Sequence, residues 1–135
     1  MKLTVCALLF ALTIPAHAAE TKTVETKTMD CKSEEAFPLI SKTDLKAVAG
    51  KPDAFIVDVN SDESFKKNHV PGAIHFGSHK KDFTNLLPKD KNTLIVAYCG
   101  GPACTAWHKA AQIACEKGYT NVKHFKEGIS GWTKD

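Results

Sequence analysis

The residues with the clearest chemistry are Cys99 and Cys104, at the two ends of Cys99-Gly100-Gly101-Pro102-Ala103-Cys104. The apolar run Thr93-Leu94-Ile95-Val96-Ala97 before them reads as a buried strand. Ala106–Glu116 after them reads as a helix, 104–117 with its ends. A cysteine on a strand-to-helix loop faces a helix N-terminus, where unpaired N–H groups and the helix dipole favour an anion. Such a site lowers a thiol pKa from about 8.5 to roughly 3.5–7.5, and the thiolate is the nucleophile. His108 and Lys109 follow on the helix and can add positive charge. The bland alternative, an inert core cysteine, fits poorly beside Gly100-Gly101-Pro102, which lets backbone approach a ligand closely.

Cys104 reads either as a small residue at the helix start or as a resolving thiol. In the second role it attacks a persulfide on Cys99, or closes a disulfide once Cys99 is oxidised. That closure needs Cα atoms within about 7 Å, which a curled six-residue loop allows. Cys99, Cys104 and His108 together give Cys-x4-Cys-x3-His. This matches no strong zinc spacing, so no metal site and no cofactor are assigned. Asp58, at the end of an apolar strand, reads as an orienting group for the loop rather than an acid or base. His69 reads as fixing the turn before Pro71, and His75, His79 and His124 have no metal-ligand spacing.

The chain has 135 residues and a formal charge of +3. Its positive charges are scattered, which argues against nucleic acid as a partner. Every basic residue other than histidine is Lys, so the planar Arg clamp for oxyanions is absent. The N-terminus reads as a signal peptide. Lys2 is a positive n-region, Leu3 to Ile14 an apolar core too short to span a bilayer, and Ala16-His17-Ala18 a cleavage motif. Cleavage after Ala18 predicts a periplasmic or secreted protein, with no membrane span. Cys6 lies at the front of the apolar core and is not a lipoprotein cysteine.

Four cysteines remain after cleavage, and an even number in an oxidising compartment suggests pairing. Cys99 with Cys104 is the expected pair. Cys115, amid Ala110, Ala111, Ile113 and Ala114, reads as a small core residue. Cys31 is left open as free, paired with Cys115 or paired with another chain. Residues 19–36 are mostly Thr, Lys and Glu and read as a flexible polar leader. Residues 37–135 then form one domain.

Within it, short apolar runs alternate with helical patterns. Strands are expected at Pro38–Ile40, Phe55–Val59, Ala73–Phe76, Leu94–Ala97 and Val122–Phe125. Helices are expected over Lys42–Val48, capped by Ser41, over Asp62–Asn68, capped by Ser61, and over Asp82–Leu87 before Pro88. Gly128–Trp132 closes the chain as a turn and short helix. Trp107 is expected over the loop or core, and Trp132 as a plug for the C-terminus. The alternation argues for an α/β fold with a parallel sheet, whose functional loops lie at strand carboxyl ends.

Five segments in order resemble a single-domain rhodanese. They are Phe55-Ile56-Val57-Asp58-Val59, His69-Val70-Pro71-Gly72-Ala73-Ile74-His75, Tyr98-Cys99, Gly118-Tyr119-x-Asn121-Val122 and Gly128-x-x-Gly131-Trp132. The resemblance covers 39–132. It implies a three-layer fold with a small central parallel sheet flanked by helices. It also implies sulfurtransferase chemistry, in which Cys99 takes a sulfane sulfur as a persulfide and passes it to a thiol acceptor or a partner protein. Gly100, Gly101, Pro102, Ala103 and Thr105 then become the substrate-binding positions around a small sulfur-containing anion, with Asp58, His108 and Lys109 supporting. A monomer is expected.

The chain departs from the usual family pattern at Pro102, Cys104 and Asn60. Proline removes one amide donor. The missing Arg removes a fixed charge for thiosulfate, and weakens a phosphatase or arsenate-reductase reading as well. The loop fits a Cys-x-Gly-Pro-x-Cys variant. Two other readings stay open: a thiol–disulfide or persulfide redox protein cycling Cys99 and Cys104, and a non-catalytic binding module.

Overall fold

A computed structural model describes residues 29–135. The expected signal peptide, Cys6 and residues 19–28 of the leader lie outside the described residues.

Four short strands form one parallel sheet. They are β1 (Ala54–Asp58), β2 (Ile74–His75), β3 (Leu94–Tyr98) and β4 (Val122–His124), in the spatial order β2-β1-β3-β4. β1 and β3 are the central pair, in register from Ala54 opposite Leu94 to Asp58 opposite Tyr98. Leu39 adds a single parallel bridge to His124 at the outer edge, where composition predicts a strand. Pro38 cannot donate to a ladder, and this edge asks only its carbonyl to accept, from His124 N at 3.0 Å.

Alternation along the strands builds a core on each side of the sheet. Val57, Ile95, Ala97 and Val122 face one way. They pack with Phe83 of α3 (Phe83–Leu86) and with Trp107, Ala110, Ala111 and Ala114 of α4 (Trp107–Glu116). Ile56, Val96 and Tyr98 face the other way, against Leu45 of α1 (Lys42–Val48) and Ile129 and Trp132 of α5 (Gly128–Trp132). Helices therefore flank the parallel sheet in three layers, as the resemblance implies. The remaining helix, α2 (Asp62–Lys67), buries no residue fully.

Local signals set the helix ends. Ser41 Oγ accepts from Asp44 N at 3.1 Å, and Ser61 Oγ accepts from Ser64 N at 3.3 Å, both as expected of N-caps. Gly50, just past α1, has φ +72 and packs under the Pro71-Gly72 turn. A Cβ on Gly72 would come within 2.9 Å of Gly50 Cα, so this turn admits no side chain there.

Three expectations need correction. The leader is not flexible to residue 36: Glu34–Ala36 form a 3-10 turn capped by Ser33. Cys31 is disulfide-bonded to Cys115 across a separation of 84 residues, with Cα atoms 5.7 Å apart. Cys115 is buried, as its apolar neighbours suggest, but it is a covalent anchor rather than a simple core residue. Composition misled because one bond orders a segment that has little apolar surface of its own. The helix after the loop also starts later than 104. Cys104 and Thr105 lie in the turn ahead of α4.

A cross-link closing so long a loop restricts the unfolded chain strongly. The double variant Cys31→Ser/Cys115→Ser is expected to lose about 2–5 kcal/mol of stability. Urea unfolding under non-reducing conditions measures this. An unchanged midpoint would show that the staple contributes nothing.

Candidate active site

The site stands at the carboxyl end of β3. Its foundation is the buried pair Asp58 and Tyr98, opposite one another on β1 and β3. Tyr98 Oη donates to Asp58 Oδ2 at 2.6 Å and accepts from Val70 N at 2.9 Å. Burial, reinforced by the Asp58 carboxylate, pushes the Tyr98 phenol far above its ordinary pKa, so it remains a donor. The other carboxylate oxygen, Asp58 Oδ1, accepts from Asn60 N at 2.8 Å and Asn60 Nδ2 at 2.7 Å. Asp58 is thus wholly occupied in holding structure. Asn60 Oδ1 in turn lies 3.5 Å from where a Gly100 Cβ would stand. Sequence reasoning singled out Asp58 but missed Tyr98 as its partner. The signal was a tyrosine at an inward-facing strand position, where a hydroxyl needs a partner.

The Cys99 loop is fastened from below by α5. Ile129 N donates to Cys99 O at 2.8 Å and Ser130 N donates to Gly100 O at 3.0 Å. Gly128 makes this possible with φ +59, because a Cβ there would lie 2.4 Å from Cys99 O. A Cβ on Gly101 would lie 2.9 Å from Ser130 Oγ. Gly100 and Gly101 therefore face the scaffold. Cys104 N donates to Gly101 O at 3.0 Å, which curls the loop back on itself. That curl brings the Cys99 and Cys104 Cα atoms to 6.3 Å, and the two are disulfide-bonded.

The two sulfurs have different surroundings. Cys99 is 1 % exposed and belongs to the core beneath α4. Cys104 is half-buried and lines a cleft of about 510 Å³. Pro102 and Thr105 line the same cleft, as do Trp107, His124 and Lys126. Its opposite wall is the stapled segment, including Glu34, Glu35 and Phe37. Gly100, Gly101, Ala103, Asp58, His108 and Lys109 do not line it. The His108 ring instead packs edge-on against Phe37 and Trp107, with Nε2 buried and without a hydrogen-bond partner. Lys109 is exposed.

The cleft floor is a stack. The Trp107 and His124 rings lie 3.5 Å apart and nearly parallel. Burial, with a smaller push from the Lys126 ammonium, lowers the His124 pKa to about 4. His124 is therefore neutral at pH 7. It was visible in sequence as a polar residue at an inward position of β4, but its stacking partner was not.

A scan of family models matches the rhodanese-like domain over residues 41–135. This chain belongs to that family. The thiosulfate sulfurtransferase GlpE of Shewanella oneidensis is 28% identical over 95 residues, covering 70% of this chain and 84% of that one. The dual specificity phosphatase Cdc25 of Arabidopsis thaliana is 26% identical over 119 residues, covering 79% and 80%. A rhodanese-like domain protein of Staphylococcus aureus shares the fold with a TM-score of 0.58, at 21% identity over 73% of this chain and 94% of that one. The rhodanese-like fold explains why the cysteine loop sits above strand ends, between α4 and α5. The further disulfide joins Cys115, inside the matched segment, to Cys31, which precedes it.

Two outcomes follow. Tyr98→Phe leaves the Val70 N–H without its acceptor and Asp58 Oδ2 without its donor, and is expected to cost about 1–3 kcal/mol. Chemical denaturation checks this; a change within error would show that the pair carries no stability. For His124, the folded pKa lies below the ordinary 6.5, so the unfolded chain takes up a proton first. Stability is expected to fall as pH drops from about 6.5 to about 4. His124→Gln should lose less over that window, measured as denaturation midpoints at each pH.

Proposed function

We propose that this protein is an exported rhodanese-type sulfurtransferase that carries sulfane sulfur as a persulfide on Cys99. The observation that carries the reading is the placement of Cys99. In a domain of this family it follows a central strand, on a loop whose carbonyls are tied to α5. Relatives named thiosulfate sulfurtransferase support the class of reaction.

In the reduced protein, the Cys99 thiolate attacks the outer sulfur of the donor. With thiosulfate, the S–S bond breaks, sulfite leaves with its electron pair, and Cys99 holds a persulfide anion. With a persulfide or polysulfide, the shortened sulfur chain leaves instead. An acceptor thiolate then takes the outer sulfur and restores the Cys99 thiolate. The backbone amides of the loop stabilise the anion, with Pro102 contributing none. Cys-x-Gly-Pro-x-Cys is the variant of the loop that this mechanism uses. No Arg is present to clamp a dianion, and Glu34 and Glu35 stand on the cleft wall. Uncharged or singly charged sulfane donors therefore suit the site better than thiosulfate. The same lack of Arg disfavours phosphate ester hydrolysis.

Export, with cleavage after Ala18, accords with the pairing of all four cysteines among the described residues. No helix among the described residues is long and apolar enough to cross a membrane. A monomer with a small-molecule thiol or a partner protein as acceptor completes the proposal. The Cys99–Cys104 disulfide favours a second reading, a thiol–disulfide protein that cycles this pair.

Intact-mass and peptide mapping of the reduced protein, after anaerobic incubation with thiosulfate and then with polysulfide, test both. One added sulfur on Cys99, lost in Cys99→Ser and kept in Cys104→Ser, is the expected result. No added sulfur from either donor would overturn it, and rapid reclosure of the disulfide in its place would favour the redox reading. Replacing Glu34 and Glu35 by Gln is expected to speed thiosulfate loading about two- to five-fold at low salt, with the gain shrinking as salt is added.

A further inference from the structure

The disulfide places a chemical demand on the proposed reaction, because Cys99 has no thiolate until that bond is opened. We infer that a low-molecular-weight thiol opens it by attacking Cys104, from the cleft, with Cys99 as the leaving group. This inference rests on the sulfurtransferase reading for its purpose, though not for its geometry.

A disulfide has two electrophilic sulfurs, and access decides between them together with the stability of the departing thiolate. Access differs sharply here. Cys99 is 1 % exposed, lies in the core with Trp107 and Ala110, and does not line the cleft. Its backbone cannot swing outward cheaply, since its carbonyl is tied to Ile129 N and wedged against Gly128. Cys104 forms part of the cleft wall beside Pro102 and Thr105. The opening is of small-molecule size, in the range of roughly 300–1,000 Å³ that ligand pockets occupy.

The step balances without an outside oxidant. The incoming thiolate forms a bond to Cys104 Sγ, the Cys99–Cys104 bond breaks, and its electron pair stays on Cys99 Sγ. A second thiolate then attacks the mixed disulfide, releasing the small-molecule disulfide and leaving the Cys104 thiolate, which takes a proton from water. Two thiols are oxidised and one protein disulfide is reduced. Charge along the cleft selects among thiols. Glu34 and Glu35 outnumber Lys126 along the cleft lining, and His124 is neutral, so a cationic thiol is favoured over an anionic one.

The test uses the oxidised full-length protein and cysteamine as probe. A brief exposure is quenched with acid and N-ethylmaleimide, and peptides are mapped without reduction. At the earliest times, cysteamine is expected on Cys104 and maleimide on Cys99, in at least about ten-fold excess over the reverse arrangement. Cysteamine on Cys99 with maleimide on Cys104, or an even division, would overturn the inference. So would prior opening of Cys31–Cys115. Sulfur loading of the pre-reduced protein is scored separately, so failure of this assignment and failure of the sulfurtransferase reading are told apart.

Discussion

The structure depends on the parallel pairing of β1 and β3, and above all on where that pairing stops. Both strands end at one level, at Asp58 and Tyr98, and a buried phenol-to-carboxylate hydrogen bond joins them there. Everything on the upper surface is measured from that bond. Val70 is anchored by the phenol oxygen, which fixes the turn leading into β2. Asn60 is held by the carboxylate and stands against Gly100. Cys99 is the next residue after Tyr98, so its height above the sheet follows directly. An unpaired buried carboxylate would be costly, and three donated hydrogen bonds remove that cost.

Much of the fold was legible because its signals are local. Ser41 and Ser61 cap their helices where the pattern puts them, and the apolar runs of β1 and β3 have no other use than a buried sheet. The Cys99–Cys104 pairing was legible for the same reason: both residues belong to one short curled loop. What escaped was long-range. The bond from Cys31 to Cys115 spans most of the domain, and no local pattern encodes it. Composition then read residues 31–36 as leader, and the wall they give to the cleft could not be seen. The stack of His124 on Trp107 has the same character, since it joins an edge strand to a helix.

The cleft combines these two kinds of information. One wall comes from the loop and β4, which belong to the family's shared core. The other comes from the segment around Glu34 and Phe37, which precedes the matched residues 41–135. A common scaffold can thus keep its cysteine loop while an added segment sets the charge and shape of the cleft beside it. The same added segment also packs on Trp107, through the edge-to-face contact of Phe37.

The staple has a mechanical consequence. Cys115 lies near the C-terminal end of α4, and the cleft lies at its N-terminal end, where Trp107 begins the helix. A ten-residue helix is about 15 Å long, so the two are well separated. A pull on the chain ahead of residue 31 meets a covalent stop at Cys115. The load passes into the body of α4 and the sheet beneath it, and the strap from Lys32 to Leu39 stays slack. Tension on a tether would leave the mouth of the cleft at rest.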